Sequence, residues 1–264
     1  MNNLTLVKGN RELDELDETS VKNLNAGSGT SIFDPVLCEL VYTWFNLPNG
    51  KILDPFAGGS VRGIVASKLG HKYFGNDLRG EQIDANYENA KEVINDANLM
   101  PNWTVGDSLD IDTIVIERSF DLLFSCPPYA DLEVYSDLEN DISNMSYIDF
   151  LTIYRKIINK SCDMLSDNRF AVFVVGEVRD KKGNNYNFVG DTIKAFTDSG
   201  LHFYNEMILV NTAGSLPLRV TKQFNSGRKI GKCHQNVLVF FKGDSKLIKE
   251  IYGDVVIGDD LQEL

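Results

Sequence analysis

The sequence predicts an α/β fold: a doubly wound, mostly parallel sheet of seven strands with an antiparallel hairpin at one edge. Three observations predict it. Short apolar segments alternate with helical patterns along most of the 264 residues, and strands alternating with helices pack as a parallel sheet covered on both faces. Turns carrying an acid or glycines follow the first three strand segments, and open α/β sheets bind ligands beyond the carboxyl ends of their strands. The last two strands have no helical pattern between them, which fits an antiparallel edge pair. A hydrophobic content of 43% supports one sizeable core.

Each element follows in order. Residues 1–28 read as a polar arm closed by "NAGSG". "FDPVLCELVYTWF" reads as a helix, with Asp34 as its cap and Pro35 at the first helical position. Val36, Leu37, Leu40, Val41, Trp44 and Phe45 fall on one predicted face. "KILD" is the first strand. "SVRGIVASKLG" is a helix, with Val61, Ile64, Val65 and Leu69 on one face and Gly70 as its stop. "KYFGND" is the second strand and "GEQIDANYENAKEVINDANL" a helix. "WTVGD" and "DLLFS" are the third and fourth strands. "SYIDFLTIYRKIINKSCDML" is a long helix, where Ser146 precedes Asp149 as a capping-box variant. "RFAVFVVGEV" is the fifth strand, "FVGDTIKAFTDSG" a helix closed by Gly200, and "HFYNEMILVN" and "HQNVLVFFK" the last strands. Residues 29–243 thus form the predicted domain, and 244–264 an acidic tail. The 23-residue segment 212–234 is read as a long loop, and loops of that length in compact domains are usually functional or disordered.

The net charge of −12 argues against non-specific affinity for nucleic acid, but its distribution is uneven. Between Glu206 and Asp244 there is no acidic residue, while Arg219, Lys222, Arg228, Lys229, Lys232 and Lys242 all fall there. That segment is a candidate contact for a polyanion; the plainer reading is a solvated loop. No apolar run approaches the roughly 20 residues of a membrane span. The first residues lack a basic stretch followed by an apolar one, so no secretory signal is expected. Cys38, Cys126, Cys162 and Cys233 form no CxxC pair, which disfavours zinc and fits reduced thiols in a cytosol-like compartment.

The turn after the first strand is "DPFAGGS": Asp54, Pro55, Phe56, Ala57, Gly58, Gly59 and Ser60. Glycines there let backbone approach a ligand. The pattern is neither GxGxxG nor a phosphate-binding P-loop. Asp77 ends the second strand, 23 residues past Asp54, an offset at which an acid commonly binds ribose hydroxyls. Asp107, followed by Ser108, ends the third. Three acids along one sheet edge suit a ligand with a ribose and amines and repel a pyrophosphate. Any one of them alone is more often a helix cap.

The fourth strand stops abruptly at Cys126, Pro127, Pro128 and Tyr129. Two prolines remove two backbone donors, so a central strand cannot continue. "LDPFAGGS" followed by "CPPY" resembles the amino-group DNA methyltransferases that use S-adenosylmethionine (SAM). The tail "GSLPLRVTKQFNSGRKIGKCHQNVLVFFKGD" resembles phage and prophage methylases, and the resemblance covers most of residues 30–243. It implies a class I, Rossmann-like methyltransferase fold in the cytoplasm of a bacterial or phage-infected cell, with an accompanying restriction system as one setting. It implies SAM held by Phe33, Asp34, Asp54, Phe56, Ala57, Gly58, Gly59, Ser60, Asp77, Asp107 and Ser108. It also implies a catalytic turn at Cys126, Pro127, Pro128 and Tyr129.

In the family pattern, the first side chain of that turn and the next carbonyl accept the two hydrogens of an exocyclic amine, and the aromatic stacks on a base flipped from the duplex. Cys126 departs from the family's Asp, Asn or Ser, and a thiol is a weak acceptor. Three readings stand. Cys126 is a serine isostere with the Pro127 carbonyl as main acceptor, or the site is weak or dead, or Cys126 is a nucleophile for ring-carbon methylation. The last lacks an acidic partner motif. Ser125 cannot substitute, because neighbours on a strand face opposite ways. Cysteine's size leans the target toward cytosine N4 over adenine N6.

Further candidates are Asp131, Glu133 and Tyr135 in the following loop, and Glu177 and Arg179 at the end of the fifth strand. Arg219, Lys222, Arg228, Lys229 and Lys232 are placed to track phosphates, and Gln223 and Asn225 to touch base edges. Without a separate recognition domain, target choice falls to this segment, the arm, the 129–145 loop or a partner subunit. The competing readings are the same chemistry on RNA or a protein glutamine, and a non-catalytic protein that keeps the fold and binds SAM or a partner.

Overall fold

The computed structural model describes residues 33–129, 135–211 and 216–255. The predicted arm, Asp131, Glu133 and the last nine residues lie outside them. The chain divides into two units, one of Met1–Ser31 with Val210–His234, the other of Ile32–Leu209 with Gln235–Leu264.

The larger unit carries the alternating elements. They run α1 (Pro35–Phe45), β1 (Lys51–Asp54), α2 (Val61–Lys68), β2 (Lys72–Asp77), α3 (Gly80–Val93), β3 (Asn102–Val105), α4 (Ile111–Ile114), β4 (Phe120–Ser125), α5 (Tyr147–Met164), β5 (Leu165–Val175), α6 (Phe188–Asp198) and β6 (His202–Val210). After α7 (Leu216–Gly227) come β7 (His234–Lys242) and α8 (Ile248–Tyr252). The sheet order is β3-β2-β1-β4-β5-β7-β6. β1 to β5 pair in parallel, and β7 runs antiparallel to β5. The final strand of the chain therefore inserts beside β5 and leaves β6 at the edge. Order reverses between β1 and β4, and that switch point is where open sheets form a ligand crevice.

The core has two faces because successive strand residues point opposite ways. Leu123 joins Leu53, Phe150, Phe173, Phe188 and Phe240 on one face. Leu122 and Phe124 join Ile52, Tyr42, Val172 and Val239 on the other. Each fully buried side chain of this size contributes about 1.5–3 kcal/mol. Ser146 caps α5 as predicted, its hydroxyl accepting from the Asp149 N–H at 3.3 Å. Among the described residues no helix is long and apolar enough to cross a membrane.

Four expectations need correction. α1 buries Leu37, Cys38, Val41 and Tyr42, while Val36, Leu40 and Trp44 are exposed; the seam is turned because the Tyr42 hydroxyl donates to the Arg62 carbonyl at 2.8 Å. α2 buries Arg62, Gly63, Ala66 and Ser67, and Leu69 is exposed. Small residues are needed there, since a Cβ on Gly63 would stand 2.5 Å from the Trp103 ring. The predicted loop 212–234 contains α7. Among its described side chains, Leu216, Leu218, Val220 and Gln223 are partly buried, a pattern too sparse among basic residues to stand out in the sequence. The C-terminal tail holds α8, whose Tyr252 ring packs edge-on against Phe170 at 5.1 Å.

In the smaller unit, α7 ends at Gly227 and Arg228 takes a left-handed φ of 52°. The Arg228 guanidinium lies over the Phe224 ring at 5.2 Å. Lys222, Asn225, Arg228, Lys229 and Lys232 are exposed and Gln223 is half-buried.

Candidate active site

Asp54 ends β1 and is fully buried. Its Oδ2 accepts from Arg62 Nε at 2.6 Å and from the Tyr73 hydroxyl at 2.6 Å. Its Oδ1 accepts from the Ser125 hydroxyl at 2.5 Å and the Phe56 N–H at 3.2 Å. Four donors fill a carboxylate's lone pairs. The expectation that Asp54 meets a ligand is therefore corrected: it is the post on which the turn is built. Ser125 faces Asp54, away from Cys126, as the strand alternation requires.

Arg62 completes the turn. Its Nη2 donates to the carbonyls of Phe56 at 2.6 Å and Ala57 at 2.9 Å. Its guanidinium lies 4.6 Å from the Phe33 ring centroid, a cation–π contact. Asn76 accepts the Ala57 N–H through its carbonyl at 2.9 Å. Asn86 donates to the Gly58 carbonyl at 2.7 Å. Ser60 is buried, and Asn89 donates to its hydroxyl at 3.3 Å. The turn is thus held from behind. Gly58, at φ 50°, and Gly59 face outward with nothing within 4 Å of where a Cβ would stand.

Two further acids flank this opening. Asp77 is half-buried and accepts from the Gly58 N–H at 3.0 Å and the Arg79 N–H at 3.0 Å. Burial pushes its carboxyl above the usual range. Asp107 accepts from the Leu109 N–H at 2.8 Å and from Asn140 at 3.1 Å. Ser108 is turned inward, donating to the Pro55 carbonyl at 2.5 Å and accepting from Asn76 at 2.9 Å; its predicted side-chain contact with a ligand is corrected to a tie between the β1 and β3 turns. Asp34 caps α1, accepting from the Val36 N–H at 2.8 Å. Phe33 packs edge-on against Phe124 at 5.8 Å.

Cys126, Pro127, Pro128 and Tyr129 follow β4. Pro127 is buried, while Cys126, Pro128 and Tyr129 are half-buried. Gln235, opening the return of the chain into this unit on β7, donates to the Tyr129 hydroxyl at 2.5 Å. That hydroxyl lies 3.6 Å from Cys126 Sγ. Burial, then Cys126, pushes the Tyr129 hydroxyl well above its usual range, so it stays protonated. The Gln235 amide donates through its nitrogen, and between Tyr129 and Cys126 either group can be the donor. The Tyr129 ring meets Phe188 edge-on at 6.0 Å. Tyr135 is exposed. Arg179 lies past β5, exposed, donating to the Gly183 carbonyl at 2.8 Å in a turn.

Sequence reading missed Arg62, Asn76, Asn86 and Gln235. Arg62 left one trace, an arginine eight residues past a strand-end aspartate on a helix face of small residues. Gln235 left none.

No protein-family model matches the chain, and no curated protein does. Among solved structures, TrmN from Thermus thermophilus matches with a TM-score of 0.53 at 11% identity, over 84% of this chain and 52% of that one, so this chain spans about half of TrmN's length. A SAM-dependent methyltransferase from Methanosarcina mazei matches with a TM-score of 0.52 at 11% identity, over 80% of this chain and 99% of its own. The fold is that of the class I SAM-dependent methyltransferases. A precorrin-6y C5,15-methyltransferase from Geobacter metallireducens shares it with a TM-score of 0.51 at 12% identity, over 81% of this chain and 93% of that one. Within this methyltransferase fold, the β1–β4 pairing sets the glycine turn and the Pro-Pro turn on neighbouring strands.

Proposed function

We propose that this chain transfers a methyl group from SAM to an exocyclic amine of a base in DNA, with cytosine N4 favoured. One observation carries the reading: the Cys126–Tyr129 turn leaves β4 beside the glycine turn of β1, at the switch point of the sheet. The residues present fit SAM. The space in front of Gly58 and Gly59 admits a ligand against bare backbone. Asp77 and Asp107 suit hydroxyl and amine donors. Asp34, whose carboxylate caps α1, follows Phe33, the ring that faces the Arg62 guanidinium. SAM, when bound, supplies an electrophilic methyl on a positive sulfonium.

The chain's own part is positioning. Pro127 and Pro128 hold the backbone rigid, so the Pro127 carbonyl keeps a fixed acceptor direction. Tyr129, pinned by Gln235, offers a face of fixed orientation to a base. The exposed Lys222, Arg228, Lys229 and Lys232 supply the phosphate contacts, joined by Arg219 and Gln223. The test is incubation with tritiated SAM and unmethylated duplex DNA, digestion to nucleosides and chromatography. N4-methylcytosine or N6-methyladenine is the expected product. Label at carbon 5 of cytosine would overturn the amine chemistry. Label on RNA alone would overturn the DNA assignment.

A further inference from the structure

Glu177 lies two residues past β5, and the reading above leaves it unused. Its Oε1 accepts from the Val189 N–H at 3.2 Å, in the first turn of α6. Asn187 at the start of α6 takes φ 70° and makes no side-chain cap, so Glu177 serves as the cap from outside the helix. Its Oε2 is enclosed and has no hydrogen-bond partner. An enclosed carboxylate oxygen with no donor is costly, and native folds rarely leave one so. Gly176, one residue earlier, has nothing within 4 Å of where its Cβ would stand. The backbone just before Glu177 therefore borders open space.

The position is that of a target site. β4 and β5 run parallel with Ser125 beside Phe173. Tyr129 lies four residues past Ser125 and Glu177 four past Phe173, so both follow the carboxyl ends of neighbouring strands. Phe188, next to the capped Val189, touches the Tyr129 ring. The Tyr186 N–H donates to the carbonyl of Val178, next to Glu177, at 2.9 Å, and its ring stacks on Tyr147 at 4.0 Å. This is a carboxylate at an aromatic wall.

The acceptor tally at the Pro-Pro turn calls for such a group. The Cys126 sulfur is a weak acceptor and already lies 3.6 Å from the Tyr129 hydroxyl. An exocyclic amine presents two hydrogens. We infer that Glu177 Oε2 accepts one of them and the Pro127 carbonyl the other, Glu177 standing in for the side-chain acceptor that Cys126 does not supply. This rests on the amine-methylation reading given above.

Glu177→Gln separates the two roles of this residue. The amide keeps an oxygen for the Val189 N–H but turns the other acceptor into a donor. With tritiated SAM and duplex DNA, turnover is expected to fall on the order of 100-fold, as when one preorganised hydrogen-bonding group is removed from a reacting centre. The melting temperature and the KM for SAM should stay as in the wild type. Glu177→Asp keeps the charge one methylene short and should also lose turnover, by up to about 100-fold. A Gln variant within about threefold of an active wild type would overturn the inference and leave amine methylation standing. If the Gln variant does not fold, a fully active Asp variant would overturn it. A wild type that labels neither DNA nor RNA overturns the amine reading itself, and this inference with it.

Discussion

Arg62 does three things at once. It neutralises the buried Asp54, donates to two turn carbonyls, and stacks on Phe33. A buried pair of this kind is weak evidence for stability, because desolvation offsets the attraction. Breaking it is another matter. Arg62→Met would strand the Asp54 charge in the core, and a loss of about 3–5 kcal/mol is expected in urea unfolding. Arg62→Lys should recover little of that loss, since an ammonium lacks the planar fork that reaches a carboxylate and two carbonyls together. A lysine variant as stable as wild type would show that charge alone suffices.

At the scale of elements, α2 and the glycine turn before it obey opposite demands. Gly63 has its Cα hydrogen against Trp103 and Tyr73, and a Cβ there would lie 2.5 Å from Trp103 Cζ2. Gly59 faces space. Gly63→Ala should push α2 off the sheet and cost about 1–3 kcal/mol. Gly59→Ala should change stability by less than about 0.5 kcal/mol, yet weaken SAM binding measured by titration calorimetry. Unchanged SAM affinity in the Gly59 variant would mean that the open side of the turn is not a ligand wall.

At the scale of the whole molecule, a net charge of −12 coexists with a stretch from Met207 to Gly243 that has no acid. The total charge opposes a polyanion, so binding must depend on that stretch. The triple substitution of Lys222, Lys229 and Lys232 by Ala should lower the slope of log K against log salt by about 0.9 per lost phosphate contact. Fluorescence anisotropy with a duplex oligonucleotide measures it. An unchanged slope would remove these residues from the nucleic-acid contact.

The sequence by itself determined the alternation of elements, the caps at Asp34 and Ser146, the open glycine turn and the stop after β4. Each depends on residues within a turn or two of one another, where propensity and φ preferences act. Tertiary structure alone decided the rest. It turned α1 and α2 to bury Tyr42 and Arg62 in place of aliphatic neighbours. It put β7 inside the sheet. It made Asp54 a post by joining it to Ser125, 71 residues away. It set Gln235 on Tyr129 across 106 residues. Buried polar groups must find donors wherever the folded chain brings them, and no local pattern encodes which distant residue that will be.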